Sequence, residues 1–365
     1  MLGGDAGLGE QSAPVKAFVV SGPAEGAVQD VPDPVAAPGQ VVVDIHRVGV
    51  CGTDVEFWTG EMAYLHQGHA AYPLRLGHEW SGVVSALGGG VDPAWLGRRV
   101  TGDTMIGCGL CRRCLSGHHN VCEERVEIGI RGGFPGALAE QLAVPASALI
   151  ELPGNVDDTA GAMVEPGGNA LRSVRAASLA PGDRVLVLGT GTMGLLAAEF
   201  ARADGAEVHL MGRSPGTIEF ARGLGFAGVW QRAALPQLAW DAVIDASNAV
   251  ELPALALELV EPGKRVVYLG LAGTPSLIDT RTVALKDVTA VGILAASQGL
   301  AGAVEHYAAG SVNPRPLVAA TVGLDRVGDV LSGWRPETAS AGPKVHVDPR
   351  PSIEQKAEPQ MSAAA

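Results

Sequence analysis

Two textures divide this chain. Over residues 15–150, short apolar or alternating runs at 15–20, 41–45, 81–87 and 141–145 stand between glycine- and proline-bearing turns. Alternation with a period of two puts every second side chain on one face, so these runs predict short strands of a β-rich unit. From about residue 160 the pattern changes. Apolar runs at 184–188, 207–211, 242–245, 265–271 and 288–294 alternate with Ala-rich segments at 195–204, 216–223 and 252–260. That alternation predicts helices between parallel strands, the βαβ unit. Beyond residue 300 come candidate helices at 301–309 and 325–332 and a last strand at 344–347, with no internal repeat.

The chain of 365 residues exceeds what one hydrophobic core usually serves, which predicts two domains. Its 47% hydrophobic and 18% charged content is that of a globular protein, and no apolar run is long enough to span a bilayer. A net charge of −13 argues against a nucleic-acid surface. The expected partners are small molecules, with no nucleic acid and no membrane. Residues 1–14 lack the basic start and apolar stretch of a secretory signal and read as a flexible extension. Residues 350–365 are polar and Ala-ended and read as a disordered tail. The expected compartment is the cytoplasm.

The apolar run at 184–188 ends in Gly189-Thr190-Gly191-Thr192-Met193-Gly194, and a helical pattern follows at once. Between a strand and a helix each glycine has a task. Gly189 makes the tight turn, Gly191 admits a pyrophosphate, and Gly194 lets helix and strand pack closely. The helix start supplies free N–H groups for the phosphates. In sites for NAD the second strand usually ends in Asp or Glu, which holds the ribose 2′-hydroxyl. Here it runs into Gly212-Arg213-Ser214. Gly212 would leave room for a 2′-phosphate, and Arg213 and Ser214 could bind it, so NADP is favoured over NAD. Arg213 could instead be a solvated arginine stacking on adenine.

Four of the five cysteines follow the spacing C-x2-C-x2-C-x7-C: Cys108, Cys111, Cys114 and Cys122. Four sulfurs from one loop satisfy a tetrahedral Zn²⁺ and leave no open position, which predicts a structural ion. Two disulfides are the competing reading, and the tightness of the run counts against them. His118 and His119 lie inside the loop and could replace a cysteine. The fifth, Cys51, stands apart in Cys51-Gly52-Thr53-Asp54, with Gly77-His78-Glu79 and Glu165-Pro166 further on. Cysteine, histidine and glutamate are all zinc ligands, and a three-ligand set leaves room for substrate. Taken singly, each has a plainer explanation as packing or surface turn.

Taken together, in this order and at this spacing, these motifs make the chain resemble the zinc-dependent medium-chain alcohol dehydrogenases over residues 15–349. The resemblance implies an α/β fold, a GroES-like β-barrel catalytic domain plus a doubly wound Rossmann coenzyme domain. The implied boundaries are 15–165 for the catalytic domain with its zinc lobe at 108–122, 166–298 for the coenzyme domain, and 299–349 for a return to the first. It implies Cys51, His78 and Glu165 as ligands of a catalytic zinc, and Glu79 as a neighbouring or exchangeable ligand. Thr53 would pass the substrate proton toward the cofactor ribose. Many relatives carry histidine where this chain has Glu56, which could take the proton on to solvent or be a surface glutamate.

The implied activity is hydride transfer between a nicotinamide cofactor and a secondary alcohol or ketone of a polyol, sugar, cyclitol or amino alcohol. Residues 57–66 mix aromatic and hydrogen-bonding groups and are the expected substrate wall, unless the aromatics pack inside the barrel. A zinc-free quinone or enone reductase of the same superfamily would hold no metal. A non-catalytic nucleotide-binding protein would reduce no cofactor on any alcohol. The resemblance further implies a homodimer or homotetramer joined near residues 288–294.

Overall fold

The computed structural model describes residues 14–350, so the expectations for the two chain ends lie outside the described residues, save position 14 and position 350 themselves. The β-rich unit is built around the strand Gln40–Gly49, whose Val41, Val43, Ile45 and Val48 are fully buried. One edge of it pairs antiparallel with Glu79–Leu87. The other edge is shared: residues 40–44 take Gln141–Pro145, and residues 48–49 take Lys344–Asp348. The last strand pairs in turn with Val318–Gly323, so the end of the chain closes the sheet of the first unit. A hairpin of Val15–Gly22 and Glu25–Val31 covers one side. The second hairpin strand escaped the sequence reading because nearly every residue of it is exposed and no apolar alternation marks it.

The second unit is a six-stranded parallel sheet in the order Gly228–Gln231, Glu207–Gly212, Arg184–Leu188, Trp240–Asp245, Val260–Tyr268, Thr289–Gly292. The strand order reverses between Arg184–Leu188 and Trp240–Asp245, the point where doubly wound sheets take ligands. Val185, Leu186, Val187 and Leu188 are all fully buried. One face packs Leu195, Leu196 and Val174, and the other packs Leu252, Ala256 and Leu257. Gly228–Gln231, four residues long, is too short to have been read as a strand.

The segment opening at Glu165-Pro166 is a 14-residue helix, Val164–Ala177, and not a turn. Proline is tolerated there because the first turn has no intrahelical partner for its missing N–H. The helix packs against Thr192–Ala203 and Leu300–Ala309 at once. Gly167 makes that possible, since a Cβ there would stand 2.2 Å from Tyr307 Oη.

Candidate active site and metal centres

Cys51 is the N-cap of the helix Gly52–Thr59. Asp54 folds back so that its Oδ2 accepts the Cys51 N–H at 2.8 Å. Its Oδ1 accepts the Gly77 N–H at 3.3 Å and stands 3.5 Å from His78 Nδ1. One buried aspartate therefore ties the two ligand-bearing segments together. Gly77 has φ +95°, and a Cβ there would lie 2.8 Å from Leu138 N, so glycine is required for the chain to approach. Sulfur of Cys51, a ring nitrogen of His78 and a carboxylate oxygen of Glu79 lie within 4.8 Å of one another. With Nδ1 turned to Asp54, Nε2 is left for a metal, and a carboxylate on the far nitrogen is how metal sites fix an imidazole. Burial alone would raise the Asp54 carboxyl, but His78 and the two N–H groups hold it low. Burial opposes a charge on His78, yet Asp54, with Cys51, holds the imidazole well above its ordinary value.

Glu79 is paired with a lysine of the last strand. Both its oxygens accept from Lys344 Nζ, at 2.8 and 2.7 Å, and Nζ also donates to Val50 O at 3.0 Å. Both side chains are almost wholly buried. Burial would strip the Lys344 proton, and Glu79 with Cys51 and Asp54 more than restores it. Glu165 is not one of the converging trio. It is buried, with Oε1 accepting Asn169 Nδ2 at 3.1 Å. Burial pushes its carboxyl up to about 7, with His78 and Lys344 pulling it down and Glu79 and Asp103 pushing it up. The charges acting on it come from His78, Glu79, Lys344 and Asp103.

Thr53 and Glu56 stand one turn apart on the capped helix, the first half-buried and the second exposed. The Glu56 carboxyl is raised, by partial burial first and by Glu61 second. Phe57 and Trp58 turn inward: Phe57 is fully buried, and Trp58 packs on Phe18 and donates to Ser332 Oγ at 3.1 Å. Phe57 and Trp58 are therefore barrel core, whereas Tyr64, the third aromatic of the expected substrate wall, is half-buried and bonds Glu127 and Arg125.

In the lobe, the sulfurs of Cys108 and Cys114 are 3.9 Å apart, those of Cys111 and Cys114 3.6 Å, and those of Cys111 and Cys122 3.8 Å. A tetrahedral zinc with bonds of about 2.3 Å needs sulfur–sulfur edges of roughly 3.8 Å. No cysteine among the described residues is in a disulfide. The N–H groups of Leu110 and Cys111 hold the Cys108 thiol down at about 6. His118 bonds Ser116 and His119 bonds Asp103, so neither joins the four. Both donor sets fit the ion.

At the glycine-rich turn, Gly189 has φ +115°, and a Cβ on Gly194 would stand 2.1 Å from Gly189 O. Nothing lies within 4 Å of the place where a Gly191 Cβ would be, which leaves an open approach to the start of Thr192–Ala203. Gly212 has a packing role besides the one expected of it. The space before it is filled by Thr190 Oγ1 at 2.7 Å and Ile218 at 2.8 Å, so packing requires the glycine. Thr190 Oγ1 donates to Thr217 Oγ1 at 2.8 Å, and Ser214 caps the helix Pro215–Gly223. Arg213 is exposed at the strand end, beside no carboxylate at the tip.

A converging thiol, imidazole and carboxylate in one unit, and a glycine-rich dinucleotide turn in the other, are the features of a zinc- and nicotinamide-dependent oxidoreductase. Residues 37–154 match the alcohol dehydrogenase GroES-like domain, and residues 192–309 match the zinc-binding dehydrogenase family. The chain is 27% identical to an L-threonine 3-dehydrogenase of Rhizobium johnstonii, over 88% of this chain and 95% of that one. It is 30% identical to a sorbitol dehydrogenase of Halalkalibacterium halodurans, over 73% of this chain and 79% of that one. The structure of a candidate zinc-binding dehydrogenase from Sinorhizobium meliloti 1021 bound to NADP superposes with a TM-score of 0.84 at 28% identity, covering 93% of this chain and 100% of that one. The chain belongs to the zinc-dependent medium-chain alcohol dehydrogenases.

It is accordingly an alcohol dehydrogenase using zinc and a nicotinamide cofactor. Among the described residues no helix is long and apolar enough to cross a membrane. Sequence reasoning missed two residues of the site. Asp54 carried a signal, an acid three positions after an N-cap. Lys344 carried none, because the residue it neutralises lies at the other end of the chain.

Proposed function

We propose that Cys51, His78 and Glu165 hold a catalytic zinc, that Lys344 keeps Glu79 in reserve beside it, and that Cys108, Cys111, Cys114 and Cys122 hold a second, structural zinc. The convergence of Cys51 and His78 under the shared Asp54 carboxylate carries the reading. Bound there, zinc would stabilise an alkoxide or polarise a carbonyl, while the nicotinamide carries the hydride. The chain's own residues do the rest. Asp54 fixes the imidazole through Nδ1, the helix of Glu165 packs on the helix of the glycine turn, and Thr53 takes the hydroxyl proton as it gives its own toward the cofactor ribose. Glu56, one turn on and with a raised carboxyl, passes that proton to solvent.

The substrate is a secondary alcohol of a polyol, sugar, cyclitol or amino alcohol, supported by relatives that act on threonine and sorbitol. NADP is the preferred cofactor. The strand tip lacks a carboxylate that would repel a 2′-phosphate, Arg213 is exposed beside it, and the Sinorhizobium neighbour binds NADP. A homodimer or homotetramer forms along Thr289–Gly292, an exposed edge strand near which Leu271, Leu277 and Leu285 are also exposed. Cofactor reduction across polyols, cyclitols, aminocyclitols and threonine, with NAD and NADP in parallel, tests this. Turnover of at least one class, faster with NADP, is expected. No reduction of either cofactor on any of them would refute the reading.

A further inference from the structure

The chain leaves the coenzyme sheet at Thr289–Gly292 and runs through residues 293–298 to the helix Leu300–Ala309. That segment is gripped from two sides. On one side stands the four-cysteine lobe. Asn120 Nδ2 donates to Leu294 O at 2.9 Å, and Gln298 Nε2 donates to Gly117 O at 2.8 Å and to Asn120 Oδ1 at 3.0 Å. Ser297 Oγ donates to Asp103 Oδ1 at 3.0 Å, and the other oxygen of Asp103 meets His119 Nε2 at 2.7 Å. On the other side Arg172, from the helix that carries Glu165, donates to Leu294 O and Ala295 O. Ala295 sits at φ +66°, a left-handed conformation unusual for a residue with a Cβ, and these bonds hold it there.

Asn120 uses its donor and its acceptor in this grip and is almost fully buried. Its position is set by the lobe, since the turn His119–Val121 runs directly into the ligand Cys122. We propose that the four-cysteine lobe is a brace for residues 294–298, with Asn120 and Gln298 as positioning residues for the coenzyme half of the site. The segment follows the carboxyl end of a sheet strand, where doubly wound sheets take their ligands. The lobe's ion then reaches the active site through a short chain of bonds: lobe fold, Asn120, the Leu294 carbonyl, Arg172 and the helix of Glu165. The tie to the coenzyme rests on the function proposed above, whereas the brace itself does not.

Hydrogen exchange of residues 293–299 tests the brace without any substrate. Asn120→Asp keeps the size and the acceptor for Gln298, but a carboxylate cannot donate to the Leu294 carbonyl. Gln298→Ala, at an exposed position, is the gentler companion. Cys108→Ser removes one sulfur of the lobe. Each should speed exchange at these amides by about tenfold, as expected for a lost buried hydrogen bond, while exchange in the strand Arg184–Leu188 stays unchanged. The Asn120→Asp variant should also raise the cofactor KM by about tenfold with kcat changed less than about twofold. Wild-type exchange in all three variants would overturn the brace. Faster exchange with an unchanged cofactor KM would overturn the positioning role. Wild-type protein that turns over no alcohol would strike the dehydrogenase reading instead and leave the exchange result to decide the brace.

Discussion

The two metal-ligand clusters are built in opposite ways. The lobe takes four sulfurs from one short stretch whose Leu110 and Leu115 are 84% and 75% exposed, and neither belongs to a packed core. It has little besides its sulfurs to fold around. The Cys51 cluster draws on a helix start, a strand start and the last strand of the chain, and Asp54, Glu79 and Lys344 are all buried around it. Its geometry is set by packing and by compensated charge before any ion arrives. In the lobe an ion would supply the core. At the Cys51 cluster the protein supplies a preformed, charge-compensated seat.

The comparison breaks most sharply at Cys114→Ser. Structural zinc supplies on the order of 10 kcal/mol to small zinc-folded peptides, so the lobe should lose its ion and its amide protection. The Cys51 cluster should keep its ion, which metal analysis and hydrogen exchange would show together. Lys344→Met comes next. It leaves the Glu79 carboxylate buried and unpaired, and should cost about 3–5 kcal/mol in denaturant unfolding, with partial recovery in the double variant Lys344→Met, Glu79→Gln. Asp54→Asn keeps the bulk and removes the charge behind His78. Zinc affinity at that cluster should fall about 10–100-fold while the lobe's affinity stays the same, measured by competition with a chelator.

The smallest effect is expected at Glu56→Gln. A carboxylate accepts a proton only when ionised, so alcohol oxidation should decline as pH falls through the raised Glu56 pKa. The variant should lose that limb of the pH–rate profile, with less than about tenfold change at high pH. An unaltered profile would take Glu56 out of the mechanism.

What the sequence disclosed follows the same division. The lobe, the glycine turn and the buried strand before it are local patterns, and each was legible from a few neighbouring residues. The sheet of the second unit was legible too, because strands buried on both faces are continuous apolar runs. The hairpin strand Glu25–Val31 was not, being nearly all exposed. Nor was the helix Val164–Ala177, whose proline and paired glycines read as a turn until Tyr307 and Ala296 are seen against them. The partnership of Glu79 with Lys344 joins residues brought together only by closure of the sheet. Gly212 shows the converse: a residue credited to the ligand is also required by packing against Thr190 and Ile218.

Zinc content of single variants tests the central claim most directly, that a thiolate and an imidazole from separate segments seat a catalytic ion distinct from the lobe's. Wild-type protein should carry about two zinc ions per chain, and Cys51→Ser about one, with the lobe's protection intact, cofactor binding retained and alcohol turnover abolished. A Cys51→Ser protein that keeps both ions and turns over alcohol at the wild-type rate would contradict it.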